Sequence, residues 1–288
     1  MTNGDVAGLG ASMEPRKALL ECRNYVLYYG SGKEDEISKF DLAVLEPKAR
    51  AAGALRAIKD NGVITLGYLS ALEPEPGEDI SYLTGADLIR TACGPLTDKT
   101  TGNLILDPRS KRCSDRMLRK TGMLMKAGFD GIFVDTIGDV EHPLLKQDNE
   151  FMLAARDLLI SVRNAWPEAV ICQNSGLERL KEFSRGLVDA YCWENHNNAP
   201  RNEWFFETLS WLEQLKGTRI LLLGQERSAG FVGERERDMA ERGFVPGFMS
   251  YLAPRDYVAG VNVWWLDYIS RFSRRRVEPG RSATGASP

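Results

Sequence analysis

The sequence predicts an α/β protein, a single (β/α)8 TIM barrel with a long segment after its third strand lying over the mouth. Three observations predict it. Eight short, nearly continuous apolar runs recur along the 288 residues, as expected of strands buried on both faces. Segments with helical apolar spacing separate several of them, and repeated strand–helix alternation points to a parallel sheet covered by helices. The length suits one barrel of about 250 residues. An open doubly wound sheet is the alternative, but no G-x-G-x-x-G follows the first run. Gly30-Ser31-Gly32-Lys33 has neither that spacing nor a Walker pattern and reads as a turn.

The strand candidates are residues 25–29, 42–45, 63–69, 131–134, 169–172, 188–193, 219–223 and 244–251. Residues 49–60 form an Ala/Leu/Lys-rich helix that stops at Asn61-Gly62. Residues 114–126 form a second, with Ser114 as the N-terminal cap and a stop at Ala127-Gly128. In residues 151–166, Leu158, Val162 and Trp166 make an apolar stripe that Pro167 ends. Residues 203–216 repeat the pattern with Phe205, Leu209 and Leu212, and residues 234–242 form a short charged surface helix. The Pro/Gly-rich stretch 72–113 is long enough to be functional. The domain reading is an N-terminal extension over 1–23, with residues up to about 20 disordered, a barrel over 24–272, and a disordered basic tail over 273–288.

Composition narrows the function classes. A hydrophobic fraction of 43% and a charged fraction of 27% exclude a disordered chain, a collagen-like repeat and a small disulfide scaffold. Lys and Arg number 37 against 40 Asp and Glu, for a net charge of -3, so a nucleic-acid partner is not expected. The basic run 271–276 reads as a solvated tail. No apolar run approaches about 18 residues, so no membrane partner is expected. The first residues lack a basic signal region, which points to a cytoplasmic protein, or to a secreted one if a leader has been removed. Cys22, Cys93, Cys113, Cys172 and Cys192 are odd in number and show no C-x-x-C, which speaks against a disulfide framework. Two histidines, His142 and His196, without a ligand cluster give no metal site, and no cofactor is expected.

In such a barrel the chemistry sits where strands end. The polar groups there are Tyr28 and Tyr29, Glu46, Tyr68 and Ser70, Asp135, Gln173 and Asn174, Trp193, Glu194 and Asn195, Gln225 and Glu226, then Ser250 and Tyr251. Amides and carboxylates bind hydroxyl groups, aromatic faces pack on sugar rings, and two carboxylates can divide glycosidic cleavage between them. Each residue also has a plain structural role open to it. Asp135 can cap the next segment, Glu46 can open a helix at Pro47, Asp107 can form a turn before Pro108, and the aromatics can be core. A charge directly after Gly131-Ile132-Phe133-Val134 is costly unless it has a partner or a task.

The stretch Gly128-Phe129-Asp130-Gly131-Ile132-Phe133-Val134-Asp135 resembles a strand motif of glycoside hydrolase family 114, the endo-α-1,4-polygalactosaminidase-like TIM-barrel family. Asp41-Leu42-Ala43-Val44-Leu45-Glu46-Pro47, Gly67-Tyr68-Leu69-Ser70, Leu106-Asp107-Pro108-Arg109, Gln173-Asn174 and Trp193-Glu194 are similar to further stretches of it, in order, over about residues 24–260. Where the family usually has Gly-Glu after the third strand, this chain reads Ala71-Leu72-Glu73. The resemblance implies cleavage of an α-linked amino-sugar polysaccharide, polygalactosamine-like, by Asp135 as nucleophile or general base and Glu194 as general acid. Partial burial beside Trp193 or Tyr191 would raise the acid's proton affinity. Tyr28, Glu46, Tyr68, Asp107, Asn174, Trp193 and Gln225 would hold the poly- or oligosaccharide. Retention and inversion both remain open. A carbohydrate-binding barrel without activity is the second reading.

Overall fold

The computed structural model describes residues 14–47, 52–75, 77–99, 101–196, 199–226, 239 and 241–250. In chain order the strands are β1 (Tyr25–Tyr28), β2 (Leu42–Leu45), β3 (Ile64–Ser70), β4 (Arg90–Thr91), β5 (Gly94–Pro95), β6 (Gly131–Asp135), β7 (Val170–Asn174), β8 (Ala190–Glu194), β9 (Arg219–Glu226) and β10 (Val245–Ser250). All but β4 and β5 form one eight-stranded sheet in the order β1-β2-β3-β6-β7-β8-β9-β10, and every pairing in it is parallel. β10 lies beside β1, so the sheet curls into the expected barrel. Strands β4 and β5 form a small antiparallel hairpin within the stretch between β3 and β6.

The helices are α1 (Pro15–Leu19), α2 (Glu34–Ile37), α3 (Ala52–Asp60), α4 (Lys111–Ala127), α5 (Asn149–Ala165), α6 (Leu180–Ser184) and α7 (Glu203–Glu213). Helix α4 begins one turn before the expected start. Ser110, not Ser114, caps it, accepting from the amides of Arg112 and Cys113. Asp148 and Asn202 cap α5 and α7. The short α2 and α6 carry too few residues for a periodicity to show in sequence. The expected helix over 234–242 and the tail over 273–288 lie outside the described residues, apart from 239, 241 and 242.

Two cores follow from the alternation of side chains along each strand. Leu42, Val44, Ile64, Leu66, Phe133, Val170, Cys172, Ala190, Cys192, Leu221 and Leu223 fill the barrel interior. The residues between them, such as Ala43, Leu45, Ile132, Val134, Ile171 and Leu222, pack against the helices. Each fully buried Leu, Ile or Val contributes about 1.5–3 kcal/mol. Residues 14–20 depart from the expected disorder. Helix α1 inserts Leu19, with Cys22 after it, into the interior cluster, and Arg16 pairs with Asp189 at 2.8 Å ahead of β8. The cysteines are free thiols, and burial pushes those of Cys22 and Cys113 up to about 12.

The Gly128–Gly131 motif builds the lower end of the barrel rather than its mouth. Gly128 ends α4 in the left-handed region, with φ of 100°. Phe129 is buried, and Asp130 accepts from the Thr65 amide at 2.9 Å and its hydroxyl at 3.0 Å while pairing with Lys59. A Cβ on Gly131 would lie 2.0 Å from the Val170 carbonyl oxygen, so only glycine lets β6 and β7 approach.

Candidate active site

Parity aims the last residue of three neighbouring strands at the barrel mouth. Asp135 follows Phe133 on the inner face of β6, Asn174 follows Cys172 on β7, and Glu194 follows Cys192 on β8. After each, the chain turns through a left-handed residue that is not glycine: Thr136 (φ 59°), Ser175 (φ 58°) and Asn195 (φ 57°). Such a conformation costs about 1–2 kcal/mol per residue, and three in equivalent places mark a shared sharp exit that leaves each side chain at the rim.

Hydrogen bonds join the three. Asn174 Nδ2 donates to Asp135 Oδ1 at 2.7 Å and to Glu194 Oε2 at 2.8 Å. Tyr68, on the inner face of β3, donates its hydroxyl to the other Asp135 oxygen, Oδ2, at 2.7 Å. The Tyr68 ring packs over Phe133 and meets Tyr29 edge-on at 5.0 Å. Asn174 is 3% exposed, and its two amide hydrogens are taken by the two acids, so it positions them rather than donating to a ligand. Both acids lie within 2.8 Å of one nitrogen, so the bonded oxygens are no more than twice that distance apart.

The structure thus brings together Tyr68, Asp135, Asn174 and Glu194 of the expected set. Glu46, half-buried just past β2, continues the parity of Leu42 and Val44 toward the same rim. Three expected residues stand elsewhere. Tyr28 faces the helical layer and donates to the Ser31 carbonyl at 2.9 Å, while its neighbour Tyr29 reaches Tyr68. Trp193 also faces outward, against Trp204 and Phe205, because it adjoins Glu194 in an extended strand. Tyr191 faces the same way and reaches Ser184, so neither aromatic lies on the Glu194 face. Asp107 is held by Arg109 at 2.7 and 2.9 Å, and Arg109 stacks on Phe151, an anchor for the start of α4. The side chain of Gln225, and Tyr251, lie outside the described residues.

Two acids of the mouth were not singled out from sequence. Glu73 follows β3 and is buried, and Asp139 sits in the 3-10 turn Ile137–Glu141 after β6. Burial first, then the charges of Glu73, Asp135 and Asp98, push the Asp139 carboxyl up to about 9. The Glu73 turn is fixed by Arg116, which is fully buried in α4. Its guanidinium donates to the carbonyls of Ser70, Ala71 and Glu73 at 2.8–2.9 Å and to both Glu78 oxygens at 2.7 Å. A cluster of acids just beyond adjacent strand ends is the sequence signal that could have found Glu73 and Asp139.

The stretch from Leu72 to Cys113 is a folded wall. The Leu106 amide donates to the Leu72 carbonyl at 2.7 Å, Thr97 bridges Leu104, and Ile89, Leu96 and Ile105 are buried. Its tip reaches Glu73 through Thr101 and Asn103.

Solved structures share this architecture at low sequence identity. The glycoside hydrolase domain of PelA from Pseudomonas aeruginosa superposes with a TM-score of 0.63 at 19% identity, over 81% of this chain and 96% of that one. Aspergillus fumigatus Ega3, solved in complex with galactosamine, gives 0.63 at 12%, over 85% and 95%. An alpha-galactosidase from Thermus thermophilus, in complex with stachyose, gives 0.59 at 12%, over 88% and 66%. No protein-family model matches the chain, and no curated protein matches it. At these identities the likeness is one of fold, and the fold is a TIM barrel.

Proposed function

We propose that the protein is a glycoside hydrolase acting on an α-linked amino-sugar polysaccharide of the polygalactosamine kind, with Asp135 as nucleophile and Glu194 as acid and base. The observation that carries this reading is the Asn174 amide, which holds both carboxylates at one spot on the barrel mouth. Carboxyl groups about 5–5.5 Å apart suit a retaining double displacement, whereas inversion needs about 6.5–9.5 Å to admit a water. The shared nitrogen supports the shorter case. Glu194 then protonates the leaving glycosidic oxygen while an Asp135 oxygen attacks the anomeric carbon. In the second step Glu194 takes a proton from water, which displaces Asp135 from the sugar.

The amino-sugar reading rests on three supports. Glu46, Glu73 and Asp98 add negative charge around the pair, which favours a cationic sugar. Two of the structural neighbours are a glycoside hydrolase domain and a galactosamine complex. The ordered motifs resemble family 114.

The test is hydrolysis of α-1,4-linked galactosamine oligomers by the wild type, Asp135→Asn and Glu194→Gln. Each substitution is expected to lower turnover by at least about 10³-fold, and the first product seen by proton NMR should keep the α configuration. Near-wild-type turnover in either variant removes that residue from the mechanism.

A further inference from the structure

The tip of the wall, Asp98, Lys99 and Thr101–Asn103, is tied to the barrel by Glu73. Glu73 Oε2 accepts from Thr101 Oγ1 at 3.0 Å and from Asn103 Nδ2 at 2.8 Å. Glu73 is itself 5% exposed and pinned by its backbone. Its amide donates to Thr136 Oγ1 at 3.3 Å, and its carbonyl accepts from Ser70 Oγ at 2.8 Å and Arg116 Nη2 at 2.9 Å. Thr136 joins this turn to the one that carries Asp139, accepting the Glu73 amide on its hydroxyl and the Asp139 amide on its carbonyl at 3.0 Å, so the two carboxyl groups face each other. Asp139 Oδ2 is buried, and no donor of the described residues reaches it. Two ionised carboxylates offer each other only lone pairs, so a buried contact between them requires a proton on one.

We propose that Asp139 carries a proton at neutral pH, donates it to Glu73 and thereby latches the wall tip to the turn that follows Asp135. Asp139 is on this view a positioning residue: it donates its proton to Glu73, and Glu73 in turn holds Thr101 and Asn103. The charged groups facing Asp139 are Glu73 after β3, Asp98 in the tip and Asp135 on β6. Glu141, on the same 3-10 turn, is engaged with the amides of Glu178, Arg179 and Leu180. Burial and those three negative groups keep the proton in place up to about pH 9. Above that it leaves to solvent, two like charges face each other, and Glu73 lets go of the tip.

That the tip walls a saccharide cleft rests on the proposed function; the latch itself does not. Its test uses the full chain and two readouts that need no substrate. The infrared difference spectrum in D2O between the wild type and Asp139→Asn should show the carbonyl band of a protonated carboxylic acid at pH 7, titrating with a midpoint near 9. Hydrogen exchange of the tip amides, divided by the unprotected chemical rate at each pH, should speed up by about tenfold from pH 7 to pH 10 in the wild type, as for one lost buried hydrogen bond. Asp139→Asn keeps a donor without a charge and should stay protected at both pH values. Asp139→Ala should be as fast at pH 7 as the wild type is at pH 10, and if it does not fold, Asp139→Asn alone carries the comparison. Absence of the band at pH 7, or equal wild-type protection at the two pH values, overturns the latch. On the galactosamine polymer, kcat/KM of the wild type should fall more steeply above pH 9 than that of Asp139→Asn. Inactivity of every form would count against the proposed function, while the infrared and exchange results would still decide the latch.

Discussion

Asn174 and Asp135 stand one strand apart, with the amide nitrogen 2.7 Å from the carboxylate oxygen, although 39 residues separate them in the chain. The β6–β7 ladder sets this, because it pairs Val134 with Gln173 and so brings the next residue of each strand level. The same nitrogen then fixes Glu194.

Asn174→Ala should leave the fold in place and lower kcat by about 10²-fold, the effect of a misplacement of about 1 Å at reacting groups. Asn174→Asp keeps the size and adds a third carboxylate between two others. Its pH–rate profile should therefore shift toward higher pH on the acid side, which initial rates between pH 3 and 8 will show.

Tyr68→Phe removes the hydrogen bond that Asp135 Oδ2 accepts from the tyrosine while keeping the ring against Tyr29 and Phe133. A hydrogen bond to the charged form favours that form. Turnover near neutral pH should fall by about 10- to 100-fold, the rate equivalent of a charged-group bond of about 1.5–3 kcal/mol. Unchanged kinetics would mean that this bond is absent during catalysis.

Asp139→Asn should stabilise the protein, by an amount that grows with pH. The folded chain holds the Asp139 proton up to about 9, whereas the unfolded chain releases it near 3.8. Between those values the native state binds more protons than the unfolded one, so the wild type loses stability as pH rises through the window. The amide escapes that loss. Urea denaturation at pH 5 and pH 8 should show a larger gain for Asp139→Asn at pH 8, and a constant difference would contradict the assignment.

Arg116→Met should cost about 3–5 kcal/mol, because it takes from Glu78 its buried guanidinium partner, leaving only Lys120 and the Glu75 amide, and strands three carbonyls. Burial opposes the ionisation of Glu78, but the Arg116 hydrogen bonds and charge overcome it and hold the carboxyl at about 2. The wild type therefore keeps this contribution above about 4.5 and loses it as pH falls toward about 2, while the variant should lack that loss. Chemical denaturation from pH 2 to pH 7 measures both effects.

The strand count and several helices were legible because buried parallel strands and amphipathic helices write themselves into local apolar spacing. The strand-end polar groups were legible for the same reason: Asp135 and Glu194 each close an apolar run. The face each residue takes was harder to read. In a strand apolar on both sides, nothing local distinguishes Tyr28 from Tyr29, or tells that Trp193 turns away from the rim Glu194 faces. Asp107, a sugar-holding acid by the family resemblance, is instead occupied by Arg109.

By itself, the sequence determined a barrel of eight strands and a rim carrying acids, amides and a tyrosine, because these depend on neighbours a few residues apart. Only the tertiary structure decided that one amide joins Asp135 to Glu194, that α1 plugs the lower end, and that Glu73 meets Asp139 beneath the wall. Those contacts depend on strand register and on loops that cross tens of residues. Their protonation depends on burial, which arises only once the chain has closed on itself.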